Sequence, residues 1–353
     1  MTIYLINIAL ILFWRLFFTE KRFANAKKLF CWTVAIQWIL ISGLRDWSVG
    51  SDTYNYYIYF EQTKNQSWAS LFQYIYRSVL RVWDGEEWGY TLLMKVFQIF
   101  FQDYQLFLVG IAAIFMGLMA RWVYKYSSSP CTSFIIFSTL FYSFYALTGH
   151  RQTIATALIV FVGYDLIRER KFWRFAGISL VAFLIHKSSV MFVPFYFLTM
   201  IPATFIYKWI CAAGVTLFAM YGAPLYKTFA LWLGYGENQV NYTKGGAELY
   251  ALILVALCVV MWLFHPMLKK RREDADHLFH ASSMALLSAL MVMQNQNFMR
   301  IQQYYSLFIM ITIPELINLV KREYRLLVYL AFGAVMIFYL VQNNPQYSFF
   351  FTR

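Results

Sequence analysis

Read along the chain, apolar residues come in long runs separated by short polar interruptions. Runs long enough to cross, or nearly cross, a hydrocarbon layer of about 30 Å fall near residues 3–19, 29–44, 104–123, 131–148, 152–167, 173–187, 189–201, 204–221, 249–264, 279–297, 301–319 and 325–342. This pattern predicts an all-α, polytopic chain with about twelve membrane-crossing helices in a single domain. The pair 173–187 and 189–201 also fits one broken helix. A further run, 89–101, covers only about 20 Å at 1.5 Å per residue, too little for a full span.

Between the second and third long runs the pattern changes. Residues 66–83, QSWASLFQYIYRSVLRVW, put Leu71, Ile75, Val79 and Val82 at helical spacing on one face and Arg77 and Arg81 on another, the form of an interfacial amphipathic helix.

Composition supports the membrane reading. The chain has 353 residues, of which 61% are hydrophobic and 13% charged, with a mean hydropathy of +0.52; a soluble domain carries roughly 25% charged residues. The net charge of +13 is no nucleic-acid footprint, because the basic residues are gathered in short loops. They are Lys21, Arg22, Lys27 and Lys28; Arg168, Arg170, Lys171 and Arg174; Lys269 to Arg272; and Lys321, Arg322 and Arg325. Such loops mark the cytoplasmic side. The four cysteines are scattered in apolar segments without metal-ligand or redox spacing, so they read as packing residues.

Counting crossings from these loops places residues 45–103, residues 222–248 and both ends of the sequence outside. The stretch 45–104 must then contain an even number of crossings, so 89–101 reads as a re-entrant segment entered from outside, a geometry tolerated only against protein or a cavity. The same count gathers Arg45, Asp46, Asp52, Glu86, Glu87, His150, Arg151, Gln152, His186, Lys187 and Arg300 near one face. Several of these stand at helix ends or inside apolar runs, where polar groups are costly unless they line a pocket or pathway.

Their chemistry narrows the field. Arg45 follows the second run, and Gly50-Ser51-Asp52 has the composition of a turn that folds YNYYIYF back toward the membrane; these tyrosines, Tyr54 among them, suit a sugar or lipid, or simply an aromatic belt. In TGHRQTIATAL, Arg151 and Gln152 stand at a helix start, where free backbone N–H groups and a guanidinium fork favour a phosphate. In FLIHKSSVMFVPFYF, the helix is expected to break at His186, which reads either as a packing residue or as a group for proton transfer or diphosphate binding. In QNQNFMRIQQYY, six amides including Gln303 surround Arg300, suiting a hydroxyl-rich ligand or hydrogen bonding between helices. There is no GxxxxGK[ST], no HExxH and no cysteine–histidine cluster, which argues against an ATP-driven pump, a metalloprotease or a zinc site.

The order of these motifs resembles the EpsG family of polytopic exopolysaccharide polymerases, related in role to Wzy-type polymerases. The residues that carry it are LRDWSVGSDTYNYY, EEWGYTLL, HRQTIATAL, LVAFLIHKSSVMFVPFYF and MRIQQYYSLFIMITIPELI, in that order over most of the chain. Gly50-Ser51-Asp52 stands where the family usually has Gly-Thr-Asp, and His150 before Arg151 is unusual. The resemblance implies a GT-C-like glycosyltransferase in the bacterial cytoplasmic (inner) membrane, working on its outer face without metal or cofactor. It would join polyprenyl-diphosphate-linked oligosaccharide repeat units into exopolysaccharide, capsule or O-antigen, alongside membrane lipid and, as partners, a flippase and a chain-length regulator. In this reading Arg45, Arg151 and Arg300, supported by Gln152, hold diphosphates. Tyr54 and Gln303 contact the glycan. Asp52 is the first candidate base, His186 the second and Glu87 the third. A carrier of lipid-linked sugars and a membrane acyltransferase acting on polysaccharide are the competing classes; no inverted repeat of the kind carriers often show is visible.

Overall fold

The computed structural model describes residues 1–80, 87–232, 236–237, 248–292 and 298–352. Arg81, Val82, Glu86 and the amides Gln294, Asn295, Gln296 and Asn297 lie outside the described residues, as does most of 233–247. Every regular element among the described residues is helical, joined by a single isolated bridge between Arg45 and Phe349.

Most of the apolar runs become helices, but 189–201 becomes a 3₁₀ turn and a five-residue helix, and 301–319 divides into two helices. Helices α1 (Thr2–Phe17) and α2 (Ala26–Gly43) come first. Three shorter helices follow, α3 (Thr53–Asn65), α4 (Trp68–Leu80) and α5 (Trp88–Phe100), and then the long α6 (Tyr104–Tyr126). Asp103 starts α6 by accepting a 3.0 Å hydrogen bond from the Leu106 N–H, satisfying one of the free donors of a helix N-terminus.

Two buried helical rods occupy the centre. The first runs through α7 (Pro130–Ile136), a π-helical turn (Phe137–Phe141) and α8 (Tyr142–Tyr145). The second runs through α9 (His150–Thr156), a second π-helical turn (Ala157–Val162) and α10 (Gly163–Arg168). π-Helical turns inside α-helices tend to accompany functional sites, and here both lie in the rods that meet at Gly149. Their own Phe137 and Phe161 pack with Trp38, Phe115, Trp122 and Phe308, all with essentially no exposure.

The second half is built the same way. It comprises α11 (Phe172–Ile185), a 3₁₀ turn (Lys187–Phe192), α12 (Pro194–Leu198) and α13 (Phe205–Trp232). Helices α14 (Glu248–Lys269), α15 (Ala275–Val292), α16 (Met299–Ser306), α17 (Ile309–Leu319) and α18 (Arg325–Gln342) complete the chain. The chain breaks at His186, whose backbone is extended (φ −154°, ψ 111°), so the residues on either side form two short rods rather than one long helix.

Among the described residues, α6, α14 and α18 are long and apolar enough to cross a membrane, and α1, α11, α17 and the first part of α13 are shorter apolar helices. Much of this apolar surface faces outward: Leu326, Leu327 and Leu330 on α18 are 63–68% exposed, an arrangement that only an apolar solvent favours.

The loop charges sort to one end. Lys27 donates to the Ser127 carbonyl at 2.8 Å, Lys125 pairs with Asp165 at 2.7 Å, Arg168 with Asp274 at 3.2 Å, and Arg272 with Glu315 at 2.7 Å. Burial pushes the Asp274 carboxyl up, but Arg272, Arg168 and the Tyr164 hydroxyl outweigh it and hold the group below its ordinary value. Helix α2 begins beside this ionic belt at Lys27 and delivers Arg45 to the opposite end, about 27 Å away at 1.5 Å per residue. His150, His186 and Arg300 gather there too.

One helix presents a different face from the one the sequence reading gives. Helix α4 buries Leu71 and Ser78 and leaves Phe72, Tyr76, Val79 and Leu80 exposed, so its protein-facing stripe is turned away from the expected Leu71–Ile75–Val79 face. The wider stripe is apolar enough to meet lipid, and the protein takes the side that fits small Ser78. Helix α5 begins and ends at the same end of the molecule: Gly89 packs on the Leu184 backbone beside His186, while beyond its other terminus Gln105 donates to the Arg45 carbonyl at 3.0 Å.

Candidate active site

The polar residues of the end opposite the ionic belt form one connected cluster. It starts at Arg45, which is 2% exposed. One terminal nitrogen of its guanidinium donates to the carbonyl of Ser42, the other lies 2.7 Å from His150 Nε2, and Nε has no partner. No carboxylate pairs with this charge among the described residues, and burial draws the guanidinium below its ordinary value to about 10. A buried cation without a counter-ion is expensive, which makes it a place for an incoming anion.

His150 carries the cluster onward. Its ring stacks on Tyr56 with centroids 4.4 Å apart and planes 17° off parallel, and its Nδ1 lies 3.3 Å from the Tyr90 hydroxyl. Tyr56 lies 3.5 Å from Arg151 Nε, whose guanidinium also sits 5.6 Å over the tyrosine ring. Arg151 in turn pairs with Glu87 at 2.9 Å, and the other Glu87 oxygen lies 2.8 Å from His186 Nδ1 and accepts the Lys187 backbone N–H at 2.9 Å. Burial raises the Glu87 carboxyl, but His186, Arg151 and the Lys187 N–H together outweigh it and hold the group at about 2. Glu87 is therefore an anchored anion, and a weak base. His186 Nε2 is buried with no hydrogen-bond partner.

Backbone geometry brings these groups together. Gly50 has φ +96°, and a Cβ there would stand 2.0 Å from the Leu147 carbonyl oxygen, so only glycine lets the start of α3 close onto the loop before His150. Thr53 then donates to the same carbonyl at 2.9 Å. Gly89 does the same on the other side, since a Cβ would meet the Leu184 carbonyl at 2.5 Å. This contact seats Glu87, two residues earlier, against His186, two residues later.

A second branch leads away from Arg151. Gln152 Nε2 donates to the Arg300 carbonyl at 2.7 Å and lies 3.3 Å from Gln303 Oε1. Gln303 lines a cleft of about 1050 Å³ bounded by Trp47, Tyr54, Tyr250 and the segment following α18. That segment is fixed at its far end, where the Asp46 N–H donates to the Ser348 carbonyl at 2.9 Å and the Phe350 N–H to the Leu44 carbonyl at 3.0 Å.

Of the residues singled out from the sequence, the fold joins Arg45, Glu87, Arg151, Gln152, His186, Gln303 and the backbone of Arg300 in this one network. Asp52 stands apart from it at the start of α3, half-buried, without a side-chain capping bond. Tyr54 is 49% exposed and lies 5.1 Å from the Trp47 ring. Three members of the network were not named as site residues from the sequence: His150, Tyr56 and Tyr90. His150 was visible as an unusual neighbour of Arg151; Tyr56 and Tyr90 were hidden among many tyrosines. Among the described residues no group of histidine, cysteine or acidic side chains could hold a metal ion.

Comparison with known proteins returns no match among curated proteins and none among solved structures. The model of the EpsG family matches residues 28–351, which include every residue of the cluster. A helical membrane chain whose buried cations and paired carboxylate fall within nearly full-length agreement of this kind belongs to the EpsG family, a family of Wzy-type exopolysaccharide polymerases.

Proposed function

We propose that the chain joins oligosaccharide repeat units carried on polyprenyl diphosphate, at the outer face of the bacterial cytoplasmic membrane, crossing that membrane about twelve times. The observation that carries this reading is the buried Arg45 charge without a carboxylate, next to a Glu87–His186 pair whose distal nitrogen is free. Glycosyl transfer from a lipid diphosphate needs these two things. The leaving diphosphate needs fixed positive charge, and the acceptor hydroxyl needs a base.

In the reaction, the acceptor oxygen bonds to the anomeric carbon of the donor glycan as the bond from that carbon to the diphosphate oxygen breaks. The diphosphate departs with the electron pair. The hydroxyl proton goes to His186 Nε2, while Nδ1 keeps its own proton and donates it in a hydrogen bond to Glu87, which orients the ring and stabilises the imidazolium that forms. Arg151 keeps Glu87 ionised. Arg45 and Arg300 carry the diphosphate, with Gln152 holding the start of α16 in place. Asp52, the first candidate base from the sequence, has no such orienting partner, and the reading assigns the proton to His186 instead.

The orientation rests on the loop charges: the ionic belt with Lys27, Arg168 and Arg272 fits the cytoplasmic side, leaving the cluster outside. Purified protein given a synthetic polyprenyl-diphosphate repeat unit is expected to produce a ladder of lengthened glycans. His186→Ala should slow the growth of the ladder about 10²–10⁴-fold and Asp52→Ala should retain it. A ladder unchanged by His186→Ala, or none from the intact protein, overturns the reading.

A further inference from the structure

The cleft beside the cluster has a chemistry of its own. Five amide side chains line it, Gln303, Gln342, Asn343, Asn344 and Gln346, together with several hydroxyls, and among the described residues no lining side chain carries a charge. In a chain of net charge +13, a neutral lining beside the ionic groups Arg45, Arg151 and Glu87 is a distinct environment. Its aromatic surface includes Trp47 and Tyr54, whose rings lie 5.1 Å apart at 35°, with Phe144, Tyr250 and Tyr339. Gln303 is 3% exposed and gives its Oε1 to Gln152, and among the described residues its Nε2 has no protein partner. Asn343 and Asn344 spend their own Nδ2 donors on the Tyr339 and Val341 carbonyls, at 3.1 and 2.8 Å, so both side chains are held with their carbonyl oxygens available as acceptors.

We infer that this cleft binds an uncharged oligosaccharide, holding the glycan part of a substrate whose diphosphate lies at the arginines. The inference rests on the polymerase reading for what the glycan is attached to, but the cleft's preference for neutral sugar follows from its lining alone. Amides and hydroxyls match the donors and acceptors of sugar hydroxyls and acetamido groups, and aromatic faces match the apolar faces of pyranose rings. A uronate or phosphate-bearing sugar would bury a charge with no cation to meet it. A volume of about 1050 Å³ stands at the top of the ~300–1,000 Å³ range for small-ligand sites, so the cleft takes several rings rather than one. The segment following α18 forms one wall and is tied back to Leu44 and Asp46, flanking Arg45. Glycan and diphosphate sites therefore share one strip of backbone.

The test uses the full chain in lipid nanodiscs and saturation-transfer NMR with three probes: a hexamer of β-linked glucose, a hexamer of N-acetylglucosamine and a hexamer of galacturonate. At least one neutral hexamer is expected to bind and the galacturonate hexamer not. Removing two amides in the double variant Asn343→Ala, Gln346→Ala, on an exposed segment that leaves the core intact, should weaken neutral binding about 30-fold, for two lost hydrogen bonds. Galacturonate binding as well as the neutral hexamers, no binding by any hexamer, or neutral binding untouched by the double variant each overturns the inference. The glycan ladder separates the two readings. A ladder without neutral binding removes the cleft assignment and keeps the polymerase, whereas neutral binding without a ladder does the reverse.

Discussion

Glu87→Gln is the most informative single change at the cluster, because it removes one charge and almost no volume. The Glu87 carboxyl is held at about 2 against an ordinary 4.5, which at ~1.4 kcal/mol per tenfold makes its ionised form roughly 3 kcal/mol more favourable in the folded protein. Its folded value is depressed, so this stabilisation is complete above pH ~4.5 and is lost as pH falls from there toward ~2. The substitution should therefore cost roughly 3 kcal/mol at pH 7, consistent with the 3–5 kcal/mol expected when one partner of a buried ion pair is removed. The cost should shrink as pH falls through that window, since the native carboxyl is then losing its own charge. Reversible unfolding in mixed micelles at pH 7 and near pH 3 measures both. A cycle with Arg151→Gln should give a coupling energy of about 1–3 kcal/mol. A cost under ~0.5 kcal/mol at pH 7, the range of ordinary surface changes, or no coupling to Arg151, refutes the argument that Glu87 anchors the cluster.

Other perturbations have separable outcomes. Gly50→Ala should lower stability by at least ~1–3 kcal/mol, the cost of a strained backbone position, and lower the yield of folded protein seen by size-exclusion chromatography. Gly89→Ala should separate α5 from α11 and reduce polymerisation more than stability, read as glycan ladder against unfolding midpoint. At the other end, Asp274→Asn should destabilise by ~3–5 kcal/mol, because Asp274 is 4% exposed and holds Arg272 and Arg168; the folded remainder should keep its activity, measured per folded molecule. His186→Ala should slow turnover about 10²–10⁴-fold, the usual contribution of a general base, with little change in donor binding.

Much of the architecture was legible in the sequence, because the signals involved are local. Hydrophobic runs and loop charges marked out the helices, and the structure gathers Lys27, Arg168 and Arg272 at one end with Arg45, His150 and His186 at the other. The break at His186 was visible in HKSS interrupting an apolar run. Pairings were not legible. Glu87 and His186 stand 99 positions apart and Arg45 and His150 stand 105 apart, and no spacing rule links such residues; the two glycines that allow the contacts look like any others. Asp52 stood out in the sequence as a carboxylate among aromatics, whereas the contact of His186 with Glu87, on which the proposed assignment of the base rests, joins residues far apart in the chain. The cleft was hidden for a similar reason. Its wall, QNNPQ after the last helix, reads as an ordinary polar turn until the bridge from Arg45 to Phe349 brings it back against the site.

The central claim is that the guanidiniums at this end hold a lipid diphosphate. The most direct measurement is equilibrium binding of a long-chain polyprenyl diphosphate and of the matching polyprenyl alcohol to the purified protein and to Arg45→Gln. Arg45 is the informative position because among the described residues it has no carboxylate partner to be left exposed by the change. The account predicts that the diphosphate binds more tightly than the alcohol and that Arg45→Gln weakens the diphosphate alone by about 10–100-fold, the worth of a hydrogen bond to a charged group. Equal binding of diphosphate and alcohol, or a diphosphate affinity unchanged by Arg45→Gln, would contradict it.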